Sequence, residues 1–210
     1  MYTLFFSPNA CSLASHIALA ESGLPYEIKW VKFADKEQQS EAYLKINPKG
    51  RVPALATQRG VITESVAILA FIAQAAPEAK LAPLDDPFLF GKMQAFNAYI
   101  ASTVHVAYAH WRRGYRWADN QSSFDDMIAK APKVFHECFQ VIEDSLLEGP
   151  YVLGETYSVA DAYLYLMTDW LANMKLDRAD FPKVNAHYER MKQRPAVQRA
   201  LAEQAAATVA

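Results

Sequence analysis

The sequence changes character once, around Pro83 and Pro87, and that change constrains the fold more than any single motif. Before it, short apolar runs alternate with helical patterns. "YTLFF" (2–6) and "YEIKWVKF" (26–33) have strand character; in the second, Ile28, Trp30 and Lys32 alternate against Lys29, Val31 and Phe33. "VPALA" (52–56) and "VITES" (61–65) flank "TQRG", whose Gly60 suits a tight turn, so a hairpin is expected there. Helical spacing runs from Leu13 to Glu21, closed by Gly23 and Pro25. It recurs briefly near Glu37 to Tyr43, and again from Ser65 until Pro77. The resulting order, β-α-β-α-β-β-α, suggests a small α/β layer fold.

Beyond Pro87 no strand pattern recurs. "FLFGKMQAFNAYIASTVHVAYAHW" and "FDDMIAKAPKVFHECFQVIEDSLL" carry apolar residues at helical spacing, and Pro132 is expected to interrupt the second near its start. "VADAYLYLMTDWLANM" is apolar nearly all round, the mark of a helix buried inside a bundle. Two shorter helices follow "DFP" and "RP", each with proline near its start, where the missing N–H costs nothing. The expected division is an α/β domain over 1–80, a linker over 81–86 and an all-α domain over 87–210.

A chain of 210 residues can bury a sizeable core. A formal net charge of −2 gives no polyanion-binding surface, so no nucleic acid partner is expected. The two cysteines, Cys11 and Cys138, cannot build a disulfide framework, and neither has a CxxC or metal-ligand neighbour, so no metal is expected. The N-terminus lacks the basic and apolar regions of a signal peptide. No apolar run approaches the ~18–20 residues of a membrane span, so the expectation is a cytosolic protein with reduced thiols and no membrane partner.

Four motifs carry chemistry. Cys11 follows a strand and a proline-containing turn and stands at the head of a helix, where unpaired N–H groups favour a thiolate and lower a thiol pKa. Ser12, beside it, is placed to donate a hydrogen bond to another thiolate. On position alone the favoured reading of Cys11 is a small buried apolar side chain. In "NPKGRVPAL" (47–55), a proline opening a central strand makes sense if Val52–Pro53 is cis and turns the Val52 backbone outward to pair with an extended peptide. A tolerated trans proline on an edge strand is the alternative. In "TES" (63–65), Ser65 is either a simple N-cap or a holder of a ligand carboxylate, with Glu64 beside it for an ammonium group. In "YSVADAYLY" (157–165), Ser158 and Asp161 have the spacing of a capping box, a structural role.

Taken in order, these four motifs resemble those of the cytosolic glutathione S-transferases, most closely the bacterial beta class, along the full length of the chain. The resemblance implies a thioredoxin-like N-terminal domain (βαβαββα) followed by an all-helical C-terminal bundle. It also implies a homodimer, with glutathione as cosubstrate and a small hydrophobic electrophile as second substrate. By position, Cys11 would contact the glutathione sulfur, and Val52, with Pro53, would pair its backbone with the cysteinyl unit. Glu64 and Ser65 would hold the γ-glutamyl end, Lys36 the glycyl end, and His105 would face the thiol. Catalytic roles fall on Cys11, Ser12 and His105. Two positions depart from the beta-class pattern: Phe6 stands where a tyrosine is common, and Ala98 where an asparagine is usual, with Asn97 its neighbour.

The stretch "HVAYAHWRRGYRW" (105–117) offers His110, Trp111, Arg112 and Arg113 for an electrophile pocket; by helical geometry His110 points away from His105. Arg112, Arg113 or Arg116 would favour acidic substrates, and an ordinary solvated helix end is the plain alternative. Two other functions stay open from sequence: a monothiol glutathione-dependent disulfide reductase or deglutathionylase working through Cys11, and a non-enzymatic binding protein on the same scaffold. Ala14 replaces the second cysteine of a CxxC pair, so dithiol chemistry is not expected.

Overall fold

The computed structural model describes residues 1–208. Its first half is a four-stranded sheet in the order β2-β1-β3-β4, built from β1 (Tyr2–Phe6), β2 (Tyr26–Trp30), β3 (Ala54–Thr57) and β4 (Gly60–Thr63). β1 and β2 are parallel, with Leu4 opposite Ile28, so they need a crossover; α1 (Ser12–Ser22) supplies it and ends on Gly23 in the left-handed conformation. β3 pairs antiparallel with β1 and with β4, forming the expected hairpin. One sheet face buries Leu4 and Leu55 against Leu13 and Ile17 of α1 and Ile68, Leu69 and Ile72 of α3 (Ser65–Ala75). The other holds a small cluster of Val31, Tyr43 and Val52.

β2 ends at Trp30, three residues short of its apolar run. The Val31 N–H still reaches the Phe6 carbonyl at 2.8 Å, but Val31 then turns into the small cluster, and the Lys32 N–H is taken by the Glu37 carboxylate at 2.7 Å. The helical pattern near 37–43 splits into one 3₁₀ turn, Glu37–Gln39, and α2 (Glu41–Leu44). Ser40 restarts the helix as a cap, its hydroxyl accepting from the Tyr43 N–H.

The second half is helical. α4 (Pro87–Tyr99) starts on the Asp86 carboxylate, which accepts from the Phe88 and Leu89 N–H groups, and passes through a π turn, Ile100–Val104, into α5 (His105–Arg113). α6 (Gln121–Val141) runs through Pro132 without a break, against expectation. Proline frees one carbonyl a turn upstream; there Ile128 is 45% exposed, so that carbonyl lies on the hydrated side of the helix. Every residue of α7 (Val159–Asp169) up to Thr168 is buried. The Leu81 carbonyl of the connecting segment accepts from the Val159 N–H, at the start of that helix.

α8 (Pro182–Lys192) and α9 (Pro195–Ala207) complete the bundle. α9 returns to the sheet half: the Glu203 carboxylate bonds the buried His16 ring at 2.8 Å and accepts from the Tyr26 hydroxyl at 2.7 Å. Among the described residues, strand-like pairing after 87 is limited to isolated bridges between Tyr151 and Gly154 and between Leu153 and Thr156. No helix among them is long and apolar enough to cross a membrane.

Candidate active site

A cleft of about 830 Å³ opens between the edge of the sheet half and the walls formed by α5 and α7. Cys11 lies on its floor. The chain leaves β1 in a tight turn, with Ala10 N–H to Ser7 carbonyl at 3.2 Å and Asn9 at φ 56°, and Cys11 takes the capping position of α1. Among the described residues, no backbone acceptor takes the Cys11 or Ser12 N–H, so the positive end of the helix is open at this point. That field does not win. Burial pushes the Cys11 thiol up to about 11, outweighing Arg113 and the Ser65 hydroxyl, which both favour the thiolate. The expectation of a lowered Cys11 pKa is therefore corrected: the thiol is protonated at neutral pH and donates to the Val52 carbonyl at 3.2 Å. Iodoacetamide should label Cys11 more slowly than free cysteine at pH 8, with a rate still climbing above pH 10; a rate plateau below pH 8 would contradict this assignment.

Ser12 does not reach the cleft. It is fully buried, and its hydroxyl accepts from the Ser7 N–H and donates to the Ser7 carbonyl, closing the turn that aims α1. The expected activating role for Ser12 is replaced by this positioning one.

The Val52–Pro53 peptide is cis. Its loop is braced from behind: the Arg51 carbonyl accepts from the Tyr43 hydroxyl and from the Asn47 side chain, whose oxygen in turn accepts from the Lys49 N–H. Among the described residues nothing accepts from the Val52 N–H. Glu64, not Ser65, occupies the capping position of α3, and it does so at φ 72°, a left-handed conformation that costs a non-glycine residue energy. Its carboxylate pairs with Lys49 at 2.5 Å, and Ser65, nearly buried, is the first helical residue on the cleft wall.

The π turn delivers His105 to the opposite wall, edge-on to Trp170 with ring centroids 5.2 Å apart. Burial first, then Arg113, Arg116 and Arg51, push its pKa down to about 4, so the imidazole is neutral at physiological pH. Because the fold disfavours the protonated ring, its contribution to stability is full above the unfolded value near 6.5 and is lost as pH falls toward 4. Urea unfolding at pH 7 and pH 5 should show a loss about 2 kcal/mol larger for the parent than for His105→Phe.

Lys36 stands on an exposed left-handed turn and does not line the cleft; Gln38, Asn47, Gly50 and Arg51 line that end instead. His110 also lies off the cleft: its ring bonds the Val106 carbonyl at 2.9 Å and stacks on Trp117 at 4.2 Å, so it supports a wall residue. Trp111, Arg112 and Arg113 do line the cleft, together with Arg116, Tyr108, Tyr163 and Trp170. The last two come from α7 and the turn after it, where the all-round apolar pattern hides which residues face a cavity. Tyr108 and Trp170 stack at 4.1 Å, and the Asn173 amide donates to the Tyr108 hydroxyl at 3.0 Å. Phe6 is core, and Asn97 is fully buried with its amide donating to Gln94. Ser158 and Asp161 form the expected capping box. Among the described residues no cluster of three or more His, Cys, Asp or Glu is arranged to hold a metal ion.

Comparison with known proteins agrees with this architecture. The sequence model of the glutathione S-transferase N-terminal domain matches residues 1–74, and that of the glutathione S-transferase C-terminal domain matches 109–190. The glutathione S-transferase GstA of Escherichia coli O157:H7 is 32% identical over 201 residues, spanning 94% of this chain and 96% of its own. A glutathione transferase homologue from Sulfitobacter, solved with bound glutathione, is 44% identical with a TM-score of 0.94, over 97% of this chain and 98% of its own. A bacterial beta-class glutathione S-transferase from Sphingomonas chungbukensis is 33% identical with a TM-score of 0.83, over 96% and 98% of the two chains. With both halves matched and the likeness sustained from end to end, the chain belongs to the glutathione S-transferase family.

Proposed function

We propose that this protein conjugates the glutathione thiolate to an electrophile held in the cleft between its two halves. The observation that carries the reading is the unengaged N–H of Val52, a residue that lines the cleft together with Cys11 and with Ser65 at the start of α3. An extended tripeptide pairs there through its cysteinyl unit. Its γ-glutamyl carboxylate meets Ser65 and the α3 N-terminus, its ammonium meets Glu64, and its glycyl carboxylate meets Arg51 rather than Lys36. The sulfur then lies over the α1 N-terminus, beside a neutral His105 and the Cys11 thiol, whose one S–H turns from the Val52 carbonyl to the sulfur when the cysteinyl N–H of the tripeptide takes that carbonyl.

In this arrangement the glutathione sulfur is the one group free to carry the negative charge. Cys11 is held protonated, while Arg113 and the open helix N–H groups favour an anion. A fall in the thiol pKa from ~8.5 by about two units converts a few per cent thiolate at neutral pH into a majority. The thiol proton leaves to solvent, since an imidazole titrating near 4 is a poor base. The thiolate then attacks the electrophilic carbon, forming the C–S bond as the leaving group departs with its electron pair. Homodimerisation, a cytoplasmic location and the domain limits 1–80, 81–86 and 87–210 belong to the same proposal.

The test is calorimetric titration with S-methylglutathione together with turnover of a chlorinated dinitrobenzene. Binding and turnover are expected; neither occurring would favour a non-enzymatic role on this scaffold. Cys11→Ala separates conjugation from thiol–disulfide chemistry. Conjugation should fall no more than about tenfold, the share of one hydrogen bond to sulfur. Loss of all conjugation alongside disulfide reduction would favour a monothiol reductase.

A further inference from the structure

The cleft carries more positive charge than glutathione accounts for. Arg51, Arg112, Arg113 and Arg116 all line it, and none is within ion-pair distance of a carboxylate among the described residues. Two carboxylates share the lining, and both are engaged: Glu64 pairs with Lys49 at 2.5 Å, and Asp169 accepts from the Tyr188 hydroxyl at 2.8 Å. The guanidinium groups are near enough to act on one another. Arg113 and Arg51 help to lower the Arg116 pKa, after burial, and all three disfavour a proton on His105.

Helix electrostatics explains part of this. Arg112 and Arg113 lie in the last turn of α5, where cations complement the free carbonyls, and Arg112 also stacks over Trp111 at 5.2 Å. That reason does not extend to Arg116, in the turn beyond the helix, or to Arg51, from the other half of the chain. In the pose proposed above, the glycyl carboxylate of glutathione takes Arg51, and its γ-glutamyl end lies at α3. Arg113 and Arg116 are left without an ion-pair partner on a lining they share with the aromatic residues Tyr108, Trp111 and Trp117. Arg113 is half-buried and Arg116 is exposed at the cleft rim; two unpaired guanidinium groups on one wall favour a planar anion that accepts from both.

We propose that the second substrate is an anionic aromatic electrophile, its carboxylate or sulfonate held by Arg113 and Arg116 and its ring lying on those aromatic residues. The word electrophile rests on the transferase reading; the anion site itself does not. It narrows the second substrate from any apolar electrophile to one with an anionic group opposite its reactive carbon.

The probes are dinitrobenzoate and its methyl ester, which share a ring and differ by one charge. Their binding is measured by calorimetry on the full protein, with and without saturating S-methylglutathione. The acid is expected to bind at least about tenfold more tightly than the ester in both conditions. The preference should fall to within about twofold in Arg113→Gln/Arg116→Gln and survive largely in Arg113→Lys/Arg116→Lys, which keeps the charge. Should a double variant fail to fold, the single variants give the same comparison at half effect. Equal binding of acid and ester by the parent would overturn the proposal, as would a preference indifferent to the glutamine substitutions. A preference seen only without S-methylglutathione would also overturn it, because the arginines would then serve a carboxylate of glutathione. If S-methylglutathione does not bind at all, the transferase reading falls, and the acid-to-ester ratio on the free protein still decides the anion site.

Discussion

Asp161→Ala should destabilise the protein by about 3–5 kcal/mol, the largest stability loss expected of any single side chain described above. Asp161 is fully buried at the first turn of α7 and serves four donors at once. One carboxyl oxygen accepts from the Val152 N–H at 2.8 Å and faces His187 Nε2 at 3.0 Å. The other accepts from the Ser158 N–H at 2.7 Å and from the Ser158 hydroxyl at 3.3 Å. Alanine would leave two backbone N–H groups buried without acceptors, and each costs about 1–3 kcal/mol. It would also strand His187, which is itself fully buried and whose other ring nitrogen already lacks a partner. Ser158→Ala removes only one cap and should cost about 1 kcal/mol. Urea unfolding of the two variants measures the ratio directly. A loss for Asp161→Ala no larger than that for Ser158→Ala would mean that water replaces the carboxyl group and that the network is not structural.

The same residue shows what a sequence can and cannot disclose. Ser158 and Asp161 stand three apart, and a capping box is a local device, so its presence was legible. Val152 and His187 reach Asp161 only through tertiary packing, which no spacing encodes. Cys11 behaves alike. Strand, turn and helix placed it at the head of α1, but its protonation is decided by burial and by the Val52 carbonyl, supplied by a loop 41 residues away in sequence. Lys36 is placed at the glycyl end by resemblance alone; the turn that holds it is exposed, and Arg51 lines the cleft instead. Ser12 looked reactive because it neighbours Cys11. Consecutive helix positions point about 100° apart, though, and its hydroxyl turns inward to Ser7. Pro132 failed for a different reason, since one missing hydrogen bond on the hydrated side of a long helix is tolerated.

Glu64→Gly should separate stability from binding, because the two are expected to move in opposite directions. Glu64 is held at φ 72°, where a side chain costs about 1–3 kcal/mol and glycine is at ease. Against that gain stand the greater freedom of glycine in the unfolded chain and the loss of the Lys49 pair. That pair is exposed, with 43% and 62% of its side chains accessible, and is worth about 0–1 kcal/mol. The balance leaves folding stability unchanged or raised by up to about 1 kcal/mol. Glutathione affinity should fall by about 10- to 100-fold, because the ammonium group loses its carboxylate partner at the mouth of α3. Glu64→Gln keeps the strain and the shape but not the charge, so it should lose affinity without gaining stability. Calorimetric titration and urea unfolding of both variants decide the matter. Affinity retained in Glu64→Gly would place the ammonium group elsewhere, and stability lost in it would show that Lys49 and Glu64 contribute more to the fold than their exposure indicates. Strain that persists in a binding corner, when one common substitution would relieve it, is what a chain shows when that corner is shaped for a ligand.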